Sequence, residues 1–122
     1  MPTRRKVIAI VDDDSGTLDA IGLLLDAHGF EVRPFDSAEA FLERDAVEQV
    51  DCLLLDIHLG GLSGIDLQRR LVASGSALSV IFMTGLDDAA TRGQALSVGC
   101  VAYLQKPVIA RQLMDAIHKG TS

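Results

Sequence analysis

Short apolar runs alternate along the chain with segments in which apolar residues recur at helical spacing. Four runs contain almost no polar residue, which is typical of strands buried on both faces of a parallel sheet; they cover residues 7–11, 52–55, 80–83 and 101–104. Another strand is predicted over residues 30–35, where apolar and polar residues alternate around Pro34. Because proline cannot donate a hydrogen bond to a central ladder, we expect this second strand at the edge of the sheet.

Amphipathic helices are predicted after each strand, with polar residues or glycines at their ends. The first covers residues 17–28 and stops at Gly29, the second covers residues 38–44, and the fourth reaches Val98 and stops at Gly99. The caps or capping boxes predicted for the first four helices begin at Asp14 or Ser15, at Asp36, at Ser63, and at Asp87 or Asp88. The apolar residues predicted to face inward from the third and fifth helices are Leu67, Leu71, Val72, Leu113, Ala116 and Ile117.

Five strands that alternate with five helices indicate one α/β domain over residues 1–122, built on a doubly wound parallel sheet with helices on both faces. In such sheets the functional residues collect beyond the carboxyl ends of the strands, where the strand order reverses and opens a crevice. We therefore expect the functional site among the residues that directly follow the predicted strands.

Composition narrows the class of protein. The 122 residues are 48% hydrophobic, which supports an independent core and argues against disorder. The net charge is −6 and the dense basic run is confined to residues 4–6, so we expect no direct contact with nucleic acid. No apolar run approaches the roughly 18 residues of a membrane span. Cys52 and Cys100 lie in apolar runs without metal-site spacing, as expected of reduced core residues in a cytoplasmic protein.

Polar residues with complementary chemistry end four of the predicted strands; they are Asp12, Asp13, Asp56, Thr84 and Lys106. Three neighbouring carboxylates require a compensating cation, and an all-oxygen ligand set favours Mg²⁺, with Mn²⁺ as a substitute. With the cation and Lys106 neutralising phosphate oxygens and the Thr84 hydroxyl donating to them, an aspartate is free to attack phosphorus. We assign that role to Asp56.

Each of these residues also has an ordinary interpretation. A lone aspartate after a strand is most often a helix cap, Thr84 before Gly85 is by default a turn residue, and Lys106 before Pro107 is by default a solvated surface lysine. Tyr103, which is the only tyrosine, is equally consistent with packing on the sheet and with a functional role. The three histidines show no metal-site spacing and are interpreted as surface or loop residues; they are His28, His58 and His118. The joint arrangement over four strand ends is what favours chemistry.

Five segments, taken together and in order, resemble a bacterial response regulator receiver domain; they cover residues 8–14, 53–56, 62–64, 83–85 and 103–107. The resemblance extends from Lys6 to about Lys119. Phe41, within residues 37–42, and the Lys-Pro pair at residues 106–107 are most similar to the nitrogen-fixation regulator subgroup, whose members often carry a helix-turn-helix output domain. The fold implied is flavodoxin-like, with strand order 2-1-3-4-5.

The resemblance implies a role for each motif residue. Asp56 would accept a phosphoryl group from a sensor histidine kinase or a phosphotransfer protein, in a reaction that needs Mg²⁺. The implied metal ligands are Asp12, Asp13, Asp56 and the backbone carbonyl of His58. Lys106 would pair with the acidic pocket and then with the phosphoryl group, Thr84 would move toward the phosphate, and Tyr103 would turn inward behind it. Pro107 would follow a cis peptide bond.

The same resemblance implies which surface transmits the conformational change that phosphorylation causes. The surface of the fourth helix, fifth strand and fifth helix would respond to phosphorylation, as a homodimer interface or a docking site for a C-terminal DNA-binding output domain outside this chain. The chain would be a switch in the cytoplasm that catalyses only its own phosphoryl transfer and slow dephosphorylation. To shift the conformational equilibrium, phosphorylation must stabilise one of two states relative to the other by a few kcal/mol.

The loop after the acceptor departs from the usual receiver pattern, and two further positions bear on the lifetime of the acyl phosphate. Receivers usually carry proline four residues after the acceptor, where this chain has Gly60 followed by Gly61. Glycines leave more conformational freedom, so we expect Mg²⁺ to order this loop more weakly than in a proline version. His58 and Leu86 occupy positions that influence hydrolysis of the acyl phosphate in this family, and bulky Leu86 is expected to shield it from water.

Three other functions are alternatives to a phosphorylation-controlled switch. A phosphorylation-independent scaffold would act only through its surface, but the intact set of motif residues argues against it. A Mg²⁺-dependent phosphatase with an aspartyl-phosphate intermediate normally needs an acid/base aspartate two residues after the nucleophile, where this chain has His58. A flavin-binding protein of this fold would need a phosphate loop rich in Ser, Thr and Gly after the first strand, which the sequence lacks.

Overall fold

The computed structural model describes residues 4–44 and 47–122. Its helices and strands are β1 (Val7–Val11), α1 (Ser15–Ala27), β2 (Glu31–Phe35), α2 (Ala38–Glu43), β3 (Cys52–Asp56), α3 (Gly64–Ala73), β4 (Ser79–Thr84), α4 (Ala89–Val98), β5 (Ala102–Gln105) and α5 (Ala110–Thr121), with a 3₁₀ turn at Val47–Gln49. The predicted single domain of residues 1–122 includes residues 1–3 and 45–46, which lie outside the described residues.

The five strands form a parallel sheet in the order β2-β1-β3-β4-β5, which confirms the predicted doubly wound fold. Strand β2, which contains Pro34, lies at the edge as predicted. The chain moves from β1 to β2 on one side and then to β3 on the other, so the strand order reverses at β1 and opens the crevice between β1 and β3.

Two apolar layers cover the sheet because successive side chains of a strand point to opposite faces. Ala9, Val11, Leu53, Leu55 and Phe82 pack with residues of α2, α3 and α4 on one face. The residues between them on the same strands pack with α1 and α5 on the other face; they include Ile8, Ile10, Leu54, Ile81 and Met83. The central strands β1 and β3 are thereby buried along their whole length.

Most of the predicted helix ends are confirmed. The side chains of Asp14, Ser63 and Asp88 accept hydrogen bonds from the backbone at the starts of α1, α3 and α4. Both glycines predicted to end helices, Gly29 and Gly99, have positive φ angles of 88° and 100°. These left-handed conformations suit glycine because it has no Cβ.

Two details of the sequence interpretation are wrong. Helix α2 is capped by Ser37, whose hydroxyl accepts from the Ala40 amide at 3.0 Å, and not by Asp36. Val72 is 51% exposed, because Leu67, Gln68 and Leu71 form the buried face of α3. Both cysteines are free as predicted: Cys52 is buried, and Cys100 is partly buried and packs against the apolar layer.

The other surface assignments agree with the structure. The three histidines are exposed, and the inward residues predicted for α5 are buried. In the part of the chain that the structure describes, no helix combines the length and the apolar character needed to cross a membrane.

Candidate functional site

Three aspartates meet at the carboxyl ends of β1 and β3. Val11 of β1 pairs with Leu55 of β3, so the residues that follow each strand lie side by side. Asp12 is fully buried, Asp56 is 4% exposed and Asp13 is exposed. Oxygen atoms of the three carboxylates lie within 4.8 Å of one another. The structure therefore brings together the three residues that the sequence analysis selected as metal ligands.

A backbone amide holds each of these carboxylates. The hydrogen bonds run from Asp14 N to Asp12 Oδ1 (2.9 Å), from His58 N to Asp56 Oδ1 (3.2 Å) and from Gly60 N to Asp13 Oδ2 (3.2 Å). Because amide hydrogen bonds restrict side-chain rotation, the three groups are oriented within the loops that carry them. The cluster is preorganised.

Lys106 joins the cluster from the end of β5. Its ammonium Nζ lies 2.6 Å from Asp12 Oδ2 and 3.2 Å from Asp56 Oδ2. Burial alone would lower the pKa of this lysine, but the hydrogen bond to Asp12 and the negative charges of Asp56 and Asp12 raise the pKa above its ordinary value. Lys106 is therefore held as a cation. The peptide bond between Lys106 and Pro107 is cis, as predicted.

The electrostatics of Asp56 show why the cluster favours a further cation. Burial and then the charge of Asp12 raise the pKa of Asp56 above that of an ordinary aspartate, although the Lys106 charge acts in the opposite direction. A single ammonium group cannot neutralise three carboxylates. The all-oxygen donor set and its size fit a hard divalent ion such as Mg²⁺.

Thr84 ends β4 and is fully buried, but its hydroxyl has partners in the following turn. The hydroxyl donates to the Leu86 carbonyl at 2.9 Å and accepts from the Leu86 amide at 3.0 Å. The side chain of Leu86 is 60% exposed. To donate to a phosphoryl group, the Thr84 hydroxyl would have to exchange its bond to the Leu86 carbonyl for one to phosphate.

Tyr103 is held at the surface by two residues from the start of α4 and the turn before it. Its hydroxyl donates to Asp87 Oδ1 at 3.1 Å, and the Arg92 guanidinium carbon lies 4.9 Å from the centre of its ring. Arg92 also pairs with Asp87 Oδ2 at 3.0 Å. The hydrogen bond from Arg92 keeps the pKa of Asp87 below its ordinary value. We call Asp87 and Arg92, which hold Tyr103, the tyrosine clamp.

The sequence analysis missed the clamp and one other contact. Asp87 was considered only as a helix cap, and Arg92 was not considered. The predicted capping box that begins at Asp36 includes Glu39 three residues later, but the Glu39 carboxylate accepts from the Leu62 amide at 3.1 Å. The contacts to Leu62 and Tyr103 join separate elements, so local spacing does not predict them.

Comparison with known proteins identifies the family. A protein-family model described as the response regulator receiver domain matches residues 8–118. This chain belongs to that family. As a receiver domain it is a signalling module of two-component systems, and the resemblance inferred from its motifs is confirmed.

Similar proteins support the same assignment. The response regulator protein TmoT of Ectopseudomonas mendocina is 35% identical over 118 residues, which cover 97% of this chain and 54% of that protein. The transcriptional regulatory protein FixJ of Bradyrhizobium diazoefficiens is 36% identical over 105 residues, covering 86% of this chain and 51% of FixJ. The crystal structure of FixJ-N aligns with a TM-score of 0.86 at 27% identity, covering 98% of this chain and 95% of that one.

The likeness to FixJ supports the similarity to nitrogen-fixation regulators that Phe41 and residues 106–107 indicated. The receiver domain spans about half the length of the curated relatives that it matches. What those longer proteins do as a whole is therefore a separate question from what this domain does.

Proposed function

We propose that this receiver domain is a switch controlled by phosphorylation of Asp56, with a sensor histidine kinase or a phosphotransfer protein as donor. The observation that carries the proposal is the position of Lys106, whose ammonium group bridges Asp12 and Asp56 beside a third carboxylate. A fixed cation next to a buried carboxylate suits transfer of a negatively charged group to that carboxylate, because the charge that accumulates is already opposed. Residues 1–122 would act as one domain, in the cytoplasm with its donor.

Mg²⁺ is the cofactor that the donor set favours, and Mn²⁺ would substitute. Asp12, Asp13, Asp56 and the backbone carbonyl of His58 would hold it. When bound, the ion would neutralise oxygens of the incoming phosphoryl group and bring them close to the acceptor. This assignment is supported by the spacing of the three carboxylates.

The transfer step requires an ionised acceptor. A carboxylate oxygen of Asp56 forms a bond to phosphorus as the bond between phosphorus and the donor's histidine nitrogen breaks, and the electron pair of that bond stays on the imidazole nitrogen. Lys106, 3.2 Å from Asp56 Oδ2, would follow the charge from the carboxylate to the phosphoryl oxygens. Protonation would block the step, so the raised pKa of Asp56 makes its ionisation dependent on neighbouring cations.

The response begins at Thr84. Its hydroxyl would leave Leu86 for a phosphoryl oxygen, and Tyr103 would leave the clamp and turn inward behind it. The surface of α4, β5 and α5 would change as a result. Homodimerisation, or docking of a C-terminal DNA-binding domain in a longer protein, would read that change. The domain would also hydrolyse its own acyl phosphate slowly.

Intact-protein mass after incubation with Mg²⁺ and acetyl phosphate tests the proposal. We expect a gain of one phosphoryl group that is lost with EDTA and in Asp56→Asn. An equal gain in Asp56→Asn would place the acceptor elsewhere. No gain in the wild type, with Mg²⁺ binding demonstrated, would favour the scaffold function instead.

A further inference from the structure

The loop that joins β3 to α3, residues 57–63, is restrained by two carboxylates from other parts of the domain. The Gly60 amide donates to Asp13 Oδ2 at 3.2 Å, and the Leu62 amide donates to Glu39 Oε2 at 3.1 Å. Asp13 follows β1 and Glu39 lies in the first turn of α2. A proline at position 60 would have no amide hydrogen and could not make the bond to Asp13.

The Glu39 carboxylate lies directly against the loop. The hydrogen bond from the Leu62 amide lowers the pKa of Glu39 below its ordinary value, so this side chain is anionic at neutral pH. Gly61 has a φ of 78°, and a Cβ atom there would lie 2.7 Å from Glu39 Oε2. The positive φ at position 61 favours glycine, and a Cβ there would displace the Glu39 carboxylate from its present position.

The inner side of the loop is fixed by packing. Ile57 and Leu59 are buried in the same apolar layer as α2, and Gly64 begins α3 so close to β3 that a Cβ would overlap the Asp56 carbonyl oxygen. Four residues lie between these anchors. Leu62 packs partly against the same apolar layer and Ser63 caps α3, but Gly60 and Gly61 have no side chains to pack. The position of these two glycines depends on their backbone contacts and on how Leu62 is held.

We propose that Glu39 is a positioning residue for the metal ligand Asp13, acting through the loop. By holding the Leu62 amide, Glu39 keeps the loop where the Gly60 amide reaches Asp13. Asp13 is the exposed member of the carboxylate cluster, and without this contact its side chain would lose more rotational freedom on binding an ion. Partners that orient metal ligands from outside the coordination sphere commonly change metal affinity by 10–100-fold. This inference rests on the proposed metal-dependent function.

Three substitutions at Glu39 separate its hydrogen bond from its charge. Glu39→Gln keeps an acceptor of the same length and removes the charge. Glu39→Asp keeps the charge on a side chain that is too short to reach Leu62, and Glu39→Ala removes both. Glu43→Ala is the matched control, because it removes the same charge from an exposed position at the end of α2.

The test is a Mn²⁺ titration of the full chain without phosphodonor, followed by the electron paramagnetic resonance signal of free Mn²⁺. We expect Glu39→Ala and Glu39→Asp to bind about fivefold to tenfold more weakly than the wild type, and Glu39→Gln and Glu43→Ala to bind within about twofold. The amide NMR signals of Gly60 and Leu62 should shift in the two weakened variants while the melting temperature stays near that of the wild type. Equal affinities in all variants, or equal weakening in Glu39→Gln and Glu39→Ala, would overturn the proposal.

A double-mutant cycle tests the route through Asp13. In an Asp13→Asn background, Glu39→Ala should weaken Mn²⁺ binding by less than about twofold, because the side chain that it positions has lost its charge. A full fivefold to tenfold loss in that background would show that Glu39 acts by another route. These titrations need no phosphoryl transfer, so their result is distinct from the mass measurement, which tests phosphorylation of Asp56 itself.

Discussion

The two halves of the carboxyl edge are held in different ways. At β1 and β3, every strand residue is buried, and the carboxylates of Asp12 and Asp56 share Lys106 and receive backbone amides. The carboxylates of this half already lie together beside a cation. In the proposed reaction they would take up a metal ion and a phosphoryl group with only small movements, such as the shift of Lys106 toward the phosphoryl oxygens.

The other half, from β4 to β5, is held in contacts that conflict with the proposed response. Thr84 is engaged by Leu86, and Tyr103 is held by the clamp at the surface. Helix α4 buries only Thr91 and Ala95, so few apolar contacts oppose its movement. This difference indicates that the proposed chemistry and the proposed response would use separate halves of the edge: one half is preorganised, and the other would have to exchange partners.

The largest predicted effect is at the preorganised half. Lys106→Met removes the cation beside the acceptor, and we expect the rate of phosphorylation by acetyl phosphate to fall by about a hundredfold, the usual loss when a preset charge is removed from a transfer site. Rates from intact-protein mass check this, with Lys119→Met, on the exposed side of α5, as the control. A rate within a few-fold of the wild type would mean that the first half does not depend on this cation.

A smaller effect is predicted for the stability of the same half. The raised pKa of Asp56 means that ionisation costs free energy in the folded state that it does not cost in the unfolded chain. With EDTA present, Asp56→Asn should therefore raise the free energy of unfolding at neutral pH by on the order of 1 kcal/mol. The gain should be full above the folded pKa and absent below the unfolded pKa, where the wild-type carboxyl is also neutral.

Denaturant unfolding across this pH range checks the sign, with Asp115→Asn, at an exposed position of α5, as the control. A loss of stability in Asp56→Asn at neutral pH without metal would contradict the account of the cluster as a group of charges that Lys106 compensates only in part. In saturating Mg²⁺ the order should reverse, because the wild type gains stability from the ion.

The smallest predicted effect is at the second half. Arg92→Gln weakens the clamp, and at a fixed level of phosphorylation we expect about threefold more of the domain with Tyr103 turned inward. Arg69→Gln is a matched control, since Arg69 forms a comparable exposed pair with Asp66 at 3.1 Å on α3. The ratio can be measured from the NMR signals of the tyrosine ring. Equal populations in the two variants would show that the clamp does not hold the resting state.

The fold and the core of the site are predictable because their signals are local. Apolar runs mark the buried strands, Pro34 marks the edge, and the residue after each run marks the carboxyl edge, which places Asp12, Asp56 and Lys106 together. The wrong cap for α2 also results from relying on local signals. Asp36 and Ser37 are both good capping residues, and only the geometry of the chain entering α2 selects Ser37.

The contacts that sequence reasoning could not supply join distant residues. Glu39 and Leu62 are brought together by the packing of α2 beside the β3–α3 loop, and Tyr103 and Arg92 by the packing of α4 beside β5. The hydrogen-bond partner of Thr84 could not be predicted either, because the sequence specifies a hydroxyl at the end of β4 but not the group that it contacts.

We propose that phosphorylation of Asp56 drives a rearrangement at Tyr103. Tyr103 is the only tyrosine and the chain has no tryptophan, so intrinsic fluorescence reports on this side chain alone. On adding Mg²⁺ and acetyl phosphate, we predict a change in tyrosine emission that follows phosphorylation in the wild type, is absent in Asp56→Asn, and is reduced in Thr84→Ala despite normal phosphorylation. Full phosphorylation with unchanged emission and an unchanged tyrosine ring spectrum would contradict the account.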